Sequence, residues 1–222
     1  MNYPGGKGST FQNIINLIPP HEVYIESHLG GGAVIRHKRP AGINIGIEKD
    51  SSVIKLWGKP CDLSFTLLHD DAHNFLTSYK FNDSEFVYCD PPYLKSSRKK
   101  QRQGYYRYDY NYEKHKELLQ ILRKLPCNVM ISGYESDLYK EMLHDWYIHT
   151  FSSVCHKGIA TEWLWMNYSP PVTLHDYRYL GANYRERERI KLRTRRWINK
   201  LEKMPILERQ ALLHATEILK ET

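Results

Sequence analysis

The sequence predicts an α/β fold, a Rossmann-like open sheet with helices on both faces that is followed by a helical C-terminal appendage. A short apolar segment at 23–26 leads into a glycine turn and a helix start, which is the opening unit of nucleotide-binding α/β sheets. A second apolar segment at 86–89 has the length of one buried strand and ends at an acid, two prolines and a tyrosine. After Pro170 and Pro171, arginine-rich helical patterns replace the strand patterns.

Apolar runs and helical spacing predict the individual elements along the chain. Predicted strands lie at 23–26, 43–47, 86–89, 128–133, 147–154 and 162–168, and predicted helices lie at about 11–17, from 33, at 113–125, 136–143, 183–200 and 206–220. The last two strands are expected to form an antiparallel pair, with the aromatic residues Trp163, Trp165 and Tyr168 in the core. Residues 61–80 are ambiguous.

Size and charge predict one basic domain with an extension. We expect a first domain at 1–170, with a basic, tyrosine-rich loop at 94–112, and a helical extension at 171–222. The net charge is +7, but 95–107 carries six Lys/Arg and no acid, and 183–200 carries eight against two acids. These segments sum to +12, so the rest of the chain is about −5 by subtraction from +7. Such concentrated basicity favours a polyanionic partner.

Cysteine usage and hydropathy predict a soluble, reduced, intracellular protein. The four cysteines form no C-x-x-C pair, so neither a zinc site nor a disulfide framework is expected; they are Cys61, Cys89, Cys127 and Cys155. No apolar run approaches the roughly 20 residues of a membrane span, and no secretory signal pattern opens the chain. We therefore expect a cytoplasmic protein without a metal or a membrane partner.

The turn at 90–93, Asp-Pro-Pro-Tyr, carries the clearest chemical signal. It follows a buried strand, and open α/β sheets bind ligands at the carboxyl ends of their strands. Asp90 supplies a carboxylate that accepts hydrogen bonds from an amine. Pro91 and Pro92 fix the backbone and remove two N–H donors, so the turn presents carbonyl acceptors. Tyr93 offers a flat face on which a planar ring can stack.

Two acceptors beside a stacking ring suit a planar group that bears an amino substituent. The 6-amino group of adenine is such a group, and it is a poor nucleophile because its lone pair is delocalised into the ring. The Asp90 carboxylate and the Pro91 carbonyl would hold both amine hydrogens and direct the lone pair at an electrophilic methyl group. The alternative is a structural proline turn, which the apolar run before Asp90 and the aromatic ring of Tyr93 disfavour.

Four upstream features could contact a ligand. Lys7 lies in a glycine-rich loop, for which a flexible N-terminus is the alternative. The glycines at 30–32 lie in neither a G-x-G-x-x-G pattern nor a P-loop, which favours close backbone approach to an uncharged or zwitterionic ligand. Glu48 ends the second strand, where such folds bind ribose hydroxyls, and a solvated acid is the alternative. On pattern alone Asp71 caps the following helix, although it could instead face the base of a ligand.

Two basic segments predict contacts with nucleic acid. The loop at 95–112 interleaves cations with tyrosines, which suits phosphate contacts and stacking; a solvated loop is the alternative. The helix at 183–200 is either a phosphate-binding helix or a salt-bridged surface helix. The residues predicted to contact nucleic acid are Lys95, Arg98, Lys99, Lys100, Arg102, Tyr105, Tyr106, Arg107, Arg187, Arg193 and Arg196.

In this order, the motifs resemble those of the Dam-like (class D12-type) DNA adenine methyltransferases. The segment 3–7, Tyr-Pro-Gly-Gly-Lys, is similar to the family's methionine-binding motif, and 26–34 is similar to its glycine motif. Glu48 stands where the ribose acid belongs, and 90–93 matches the catalytic motif. Further similar segments lie at 131–134 and 161–168.

The resemblance implies S-adenosylmethionine as the cofactor. Tyr3 and Lys7 would contact its methionine end, Glu48 its ribose and Asp71 its adenine amine, while Asp90 would bridge cofactor and target. The predicted cofactor contacts are Tyr3, Pro4, Gly5, Lys7, Glu26, His28, Gly30, Gly32, Glu48, Lys49, Asp71 and Asp90. The predicted catalytic residues are Asp90, Pro91, Pro92 and Tyr93.

Two features depart from the family pattern. The glycine motif usually reads Glu-Pro-Phe, whereas this chain has Glu26-Ser27-His28 at the wall expected to pack on the methionine moiety. Larger members insert a target-recognition domain before the catalytic motif, but the interval from Glu48 to Asp90 is too short for one. The chain therefore resembles a short form, in which recognition would fall to the two basic segments.

The implied activity is site-specific methylation of an adenine that is flipped out of double-stranded DNA, without a covalent enzyme intermediate. Such an enzyme would act in the cytoplasm of a bacterium or of a phage-infected host cell, as in restriction–modification. Two alternatives stay open, namely adenine methylation of RNA and a nucleic-acid-binding module without turnover. Amide methylation of protein is disfavoured, because that chemistry is usually associated with Asn-Pro-Pro-Tyr.

Overall fold

A computed structural model describes residues 6–58, 64–94, 97, 107–155 and 158–218 of the chain. The chain divides into two compact units, Met1–Asp176 and Tyr177–Thr222. The first unit contains the sheet, and the described elements of the second unit are helices. No helix in the described ranges has both the length and the apolar character needed to cross a membrane.

One mixed sheet forms the centre of the first unit. Its strands are β1 (Val23–Glu26), β2 (Ile43–Glu48), β3 (Thr66–His69), β4 (Glu85–Cys89), β5 (Asn128–Gly133), β6 (Tyr147–Cys155) and β7 (Gly158–Met166). The spatial order is β3-β2-β1-β4-β5-β7-β6, and β7 is antiparallel to both of its neighbours. The chain order reverses between β1 and β4, and open α/β sheets bind ligands outside the carboxyl ends of the strands at such a point.

Short helices connect the strands of the first unit. They are α1 (Phe11–Ile15), α2 (Ala33–His37), α3 (Ser51–Leu56), α4 (Ala72–Ser78), α5 (Tyr112–Leu122) and α6 (Asp137–Met142). Four of them begin at a polar side chain that accepts a backbone N–H from the first turn; these caps are Asp50, Asp71, Asn111 and Ser136. The second unit contains α7 (Tyr184–Glu202) and α8 (Ile206–Ile218).

The central strands are buried on both faces, as expected for parallel strands covered by helices. All five positions of β4 are buried. Val87 and Cys89 lie in a cluster with Leu118 of α5, whereas Phe86 and Tyr88 alternate to the opposite face. The Rossmann-like α/β fold with C-terminal helices is therefore confirmed, and the burial explains why the β4 sequence is apolar without alternation.

The predicted elements are present, and the differences lie mainly at their ends. The strands at 23–26 and 128–133 have the predicted bounds. The helices α1 and α5 end earlier than predicted, ahead of prolines at 19 and 126 that cannot continue a helix. The ambiguous residues contain β3 and α4; β3 gave no strand pattern because its four residues are exposed or half-buried.

The two late strands form the predicted antiparallel pair, but β7 is displaced from its predicted bounds. It begins at Gly158 and ends at Met166, and it lies between β5 and β6. Trp165 is fully buried, which confirms its place in the core. Trp163 and Tyr168 are only half-buried. The Tyr168 hydroxyl donates to a backbone carbonyl, so its surroundings are not entirely apolar.

Candidate active site

Asp90 directly follows β4 at the carboxyl end of the sheet, beside the point where the strand order reverses. Lys7 Nζ lies 2.7 Å from both carboxylate oxygens, and the Ser132 hydroxyl donates to Oδ1 at 2.6 Å. Burial raises the pKa of Asp90, although Lys7 and Ser132 both oppose the shift by stabilising the carboxylate. Pro91 and Pro92 follow, buried and half-buried, without N–H groups. Asp90 is therefore a shielded acceptor whose orientation is fixed by two donors.

Lys7 is the buried cation of the site. Its backbone carbonyl accepts two N–H bonds from the turn that enters α1, which fixes the main chain at this point. Its Nζ also lies 3.7 Å from Glu162 Oε2 and 4.9 Å from the centroid of the Tyr93 ring. Burial by itself lowers the pKa of Lys7, but the carboxylates of Asp90 and Glu162 outweigh it and raise the pKa above 10.5. Lys7 therefore stays an ammonium.

Tyr93 is anchored at its hydroxyl. That hydroxyl donates to Glu162 Oε2 at 2.7 Å, and the ring meets Tyr134 in an edge-on contact with centroids 4.7 Å apart. Ser153 donates to the other carboxylate oxygen of Glu162 at 3.2 Å. Burial, together with the charges of Asp90 and Glu162, holds the pKa of Tyr93 well above its ordinary value. Tyr93 is thus a neutral ring in a defined orientation. We call Lys7, Asp90, Tyr93, Ser132 and Glu162 the Asp90 cluster.

Two members of the Asp90 cluster were not identified as site residues from the sequence. Ser132 lies on β5, is fully buried, and its Oγ is 3.2 Å from the Tyr88 hydroxyl. Glu162 lies on β7 and is 8% exposed. A polar side chain inside a buried strand needs a partner, and this is the sequence signal that could have pointed to both residues.

The predicted glycine turn is held by Glu48. Gly30 and Gly32 have φ angles of 47° and 57°, and a Cβ on Gly32 would lie 2.6 Å from the Trp57 ring. Both the φ angle and the nearby Trp57 ring therefore favour glycine at position 32. Glu48 accepts the N–H of Gly30 at Oε2 and that of Asp50 at Oε1, each at 2.8 Å. Burial raises the pKa of Glu48 in spite of these hydrogen bonds.

Glu26, predicted to contact the cofactor, has internal partners in this structure. Its Oε2 accepts the Tyr24 hydroxyl at 3.0 Å and the Ile35 N–H at 2.9 Å. It is only 3% exposed, and burial raises its pKa to about 8. These contacts join β1 to α2, so Glu26 supports the wall behind the glycine turn.

His28 stands where the glycine motif that this segment resembles usually has phenylalanine, and it forms polar contacts that phenylalanine cannot. Its Nε2 lies 2.9 Å from the Tyr110 hydroxyl, and its Nδ1 lies 3.0 Å from Ser27 Oγ and 3.4 Å from Cys89 Sγ. The same Tyr110 hydroxyl lies 3.2 Å from His73 Nδ1. Burial lowers the pKa of His28 to about 3, so the ring is neutral at pH 7. His28 therefore connects the glycine motif to α4 through Tyr110.

Asp71 caps α4, as the pattern favoured. Its Oδ1 accepts the His73 N–H at 2.9 Å, and its Oδ2 lies 2.5 Å from Lys49 Nζ. Burial raises the pKa of Asp71, but the hydrogen bonds from Lys49 and His73 outweigh it, so the pKa is lowered and the group is ionised. The cap uses one carboxylate oxygen and thus does not conflict with a second role at the ligand.

Many of the predicted contacts lie outside the described residues. They are Tyr3, Pro4 and Gly5 at the N-terminus, and Lys95, Arg98, Lys99, Lys100, Arg102, Tyr105 and Tyr106 in the basic loop. Arg107 is described and exposed, with its Nη1 3.5 Å from Asp50 Oδ1. In the described part of the chain, no three His, Cys, Asp or Glu side chains are grouped so that they could hold a metal ion.

The three arginines of α7 that are predicted to contact nucleic acid do not all lie on the same side of the helix. No residue of α7 is buried. At 3.6 residues per turn, five exposed cations fall on one side of the helix, Arg185, Arg189, Arg193, Arg196 and Lys200, which we call the α7 cationic face. Arg187 lies off this face, where its Nη1 donates to the Gly181 carbonyl at 3.3 Å. The structure thus groups Arg193 with Arg196 but not with Arg187.

Comparison with curated proteins found no match. Similar solved structures include an rRNA methylase from Streptococcus thermophilus, with 12% identity, 75% of this chain and 97% of that chain covered, and a TM-score of 0.46. Another is magnesium protoporphyrin IX methyltransferase from Synechocystis PCC 6803 with bound SAM, with 12% identity, coverage of 72% and 79%, and a TM-score of 0.46.

The profile of one protein family matches a segment in the middle of the chain. The profile of the D12 class N6 adenine-specific DNA methyltransferases matches residues 62–156, a segment that begins just before β3, contains β4 and the turn at 90–93, and runs through β6. The described residues between β2 and β4 form only α3, β3 and α4. This part of the chain therefore has the short form, in which no target-recognition domain is inserted before the turn at 90–93. Over residues 62–156 the chain is similar to the D12 class of N6 adenine-specific DNA methyltransferases.

Proposed function

We propose that this chain transfers the methyl group of S-adenosylmethionine to the 6-amino group of an adenine in double-stranded DNA. One observation carries the proposal: the carboxylate of Asp90, at the carboxyl end of β4, is shielded and oriented by Lys7 and Ser132 while Tyr93 is anchored beside it. The family match supports methyl transfer and an adenine target.

Three groups of the turn at 90–93 have distinct roles in this reaction. Asp90 accepts one hydrogen of the amine, the Pro91 carbonyl accepts the other, and the Tyr93 ring stacks on the base. Bound S-adenosylmethionine supplies an electrophilic methyl group. Most of the catalysis comes from positioning and from acceptors fixed before the reaction. Cys89 is not a nucleophile, because burial raises the pKa of its thiol far above neutrality.

The residues around the glycine turn fit the nucleoside part of the cofactor. The Glu48 carboxylate accepts the backbone N–H groups of Gly30 and Asp50, and a carboxylate has about four acceptor sites, so it can also accept a ribose hydroxyl. Gly30 and Gly32 let the backbone approach the ligand closely. Asp71, ionised and next to Lys49, would accept the adenine amine of the cofactor. Lys7 would face its methionine end.

Basic surfaces support a DNA partner. The α7 cationic face extends over roughly 22 Å at 1.5 Å per residue, which is long enough to follow several phosphates. Glu186 is the acid that pairs with this face, through Arg189 at 3.2 Å, and an exposed pair of this kind is weak. We assign the α7 cationic face and the basic loop at 95–107 to the DNA backbone. In duplex DNA the target amine is paired and stacked, so the base must be flipped at a cost of a few kcal/mol.

One experiment separates this proposal from its alternatives. The purified protein is incubated with S-adenosylmethionine labelled in the methyl group and, in parallel, with duplex DNA, single-stranded DNA, RNA and protein. We expect label in duplex DNA, and its loss with the Asp90→Asn variant. Label in RNA alone would instead support an RNA adenine methyltransferase. Retention of DNA on a filter without label in any substrate would indicate a binding module without turnover.

A further inference from the structure

We propose that Glu162 is a positioning residue of the catalytic centre, which fixes the Tyr93 ring and shares the Lys7 ammonium with Asp90. This inference rests on the proposed function and assigns a second carboxylate to the same site. Glu162 comes from β7, outside the segment matched by the family profile.

The surroundings of Glu162 are unusual for a glutamate in a strand. It is 8% exposed, and burying a carboxylate is costly unless hydrogen bonds and opposite charges compensate. Its contacts come from three separate segments: Tyr93 after β4, Lys7 before α1 and Ser153 on β6. Two of these three partners belong to the Asp90 cluster. A carboxylate with such partners has a role at the site that packing of β7 alone would not require.

Glu85 provides a comparison within the same sheet. It is also a buried strand glutamate, 2% exposed, at the start of β4. Both of its carboxylate oxygens accept the backbone N–H of Asn82, three residues earlier. Glu85 thus closes a local turn at the opposite end of the strand from Asp90, whereas Glu162 contacts side chains of the site. The two residues differ in partners and not in burial, which makes Glu85 a matched control.

The first role of Glu162 is to orient Tyr93. The prolines restrain the backbone before Tyr93, but the side chain can still rotate about χ1. The hydrogen bond of 2.7 Å from the phenol to Glu162, together with the edge-on contact with Tyr134, removes that freedom. A ring that is fixed before the base arrives costs less entropy when the base stacks on it.

The second role concerns the charge of Lys7. Its ammonium contacts both oxygens of Asp90, which are the oxygens that must accept the target amine. Glu162 Oε2 lies 3.7 Å from the same ammonium. When the target amine forms a hydrogen bond with Asp90, Lys7 can strengthen its contact with Glu162. The ammonium then stays charged and buried. The two carboxylates and the ammonium sum to −1 when all are ionised, which favours the positive charge that develops on the amine.

The test compares Glu162→Gln, Tyr93→Phe, their double variant and the control Glu85→Gln, on a duplex DNA that the wild-type protein methylates. We expect Glu162→Gln to lower kcat at least about tenfold with little change in KM for DNA, because positioning is lost and not binding. Tyr93→Phe removes the same hydrogen bond, so the double variant should lose much less than the product of the two single effects. Glu85→Gln should keep the wild-type kcat.

A readout without turnover completes the test. Replacement of a carboxylate near Lys7 should lower the pKa of its Nζ, measured by NMR of isotopically labelled lysine, in Glu162→Gln but not in Glu85→Gln. If Glu162→Gln matches Glu85→Gln in kcat and in the Lys7 titration, or if the double variant is fully multiplicative, the role of Glu162 is wrong. If the wild-type protein methylates no DNA while the Lys7 titration shifts as expected, the proposed function fails and the Lys7–Glu162 interaction stands.

Discussion

Lys7 Nζ lies 2.7 Å from both carboxylate oxygens of Asp90, although the two residues are 83 positions apart in the sequence. The pair joins the loop before α1 to the turn after β4. Removing one partner of a buried ion pair leaves the other charge uncompensated, which typically costs about 3–5 kcal/mol. The same pair therefore contributes to the stability of the first unit and favours the ionised form of Asp90, the acceptor in the proposed reaction.

Replacing Asp90 by Asn keeps the shape of the side chain but removes the charge and one acceptor. We expect the rate of methyl transfer to fall at least about a hundredfold, as is typical when a positioned transition-state group is lost. The rate is measured in single turnover with labelled S-adenosylmethionine and duplex DNA. Circular dichroism and a thermal melt control for folding, because Lys7 loses its charged partner. Near-normal turnover by a folded Asp90→Asn protein would contradict the role of Asp90.

Replacing Lys7 by Met should change the pH dependence of the reaction. Burial raises the pKa of Asp90 and Lys7 opposes that shift, so without the ammonium the pKa rises further. Asp90 must be ionised to accept the amine, so the ascending limb of kcat/KM against pH should move to higher pH. Lys140→Met, at an exposed pair with Glu135, is the control. An unmoved limb would show that Lys7 does not set the ionisation of Asp90.

Replacing His28 by Phe introduces the residue that is usual in the glycine motif that the chain resembles, but it removes the bond to Tyr110. We expect the free energy of unfolding at pH 7 to fall by about 1 kcal/mol, as for loss of a typical hydrogen bond, measured by urea denaturation. A variant as stable as the wild type, or more stable, would show that the chain from His28 through Tyr110 to His73 does not stabilise the fold.

The same variant tests a pH effect on stability. Burial lowers the pKa of His28 to about 3, whereas an unfolded histidine titrates near 6.5, so between these values the unfolded chain binds more protons. His28 therefore makes the protein lose stability as the pH falls from about 6.5 towards 3. His28→Phe should show a shallower loss over this window, while the exposed control His144→Asn should keep the wild-type slope. Equal slopes in all three proteins would contradict the burial of a neutral His28.

The α7 cationic face predicts a specific change in the salt dependence of DNA binding. Neutralising Arg193 and Arg196 should lower the slope of log K against log salt by up to about 2, because each lost phosphate contact contributes about 0.9. Neutralising Arg187 and Arg195, which lie off the face, removes the same charge and should change the slope much less. Equal effects of the two double variants would mean that α7 attracts DNA only through its total charge.

Local patterns predicted those parts of the site that depend on neighbouring residues. The run before Asp90 is apolar because β4 is buried on both faces, and the glycines at 30–32 mark the turn that Glu48 holds. The cap at Asp71 was also evident, since it is satisfied within two residues.

The site residues that the sequence did not predict are brought into place by strand pairing between distant parts of the chain. Ser132 reaches Asp90 because β5 pairs with β4, and Glu162 reaches Tyr93 because β7 lies between β5 and β6 against the chain order. No local signal specifies that insertion. The edge strand β3 was missed because it is partly exposed and only four residues long, so neither burial nor alternation marks it.

The central claim is that the acceptor at Asp90 directs a methyl group to the 6-amino group of adenine in DNA. The most direct measurement is mass spectrometry of the nucleosides released from duplex DNA after incubation with the purified protein and S-adenosylmethionine. The account predicts N6-methyldeoxyadenosine as the new nucleoside with the wild-type protein, and its loss with Asp90→Asn. Methylation at a cytosine, or N6-methyldeoxyadenosine at equal levels with both proteins, would contradict it.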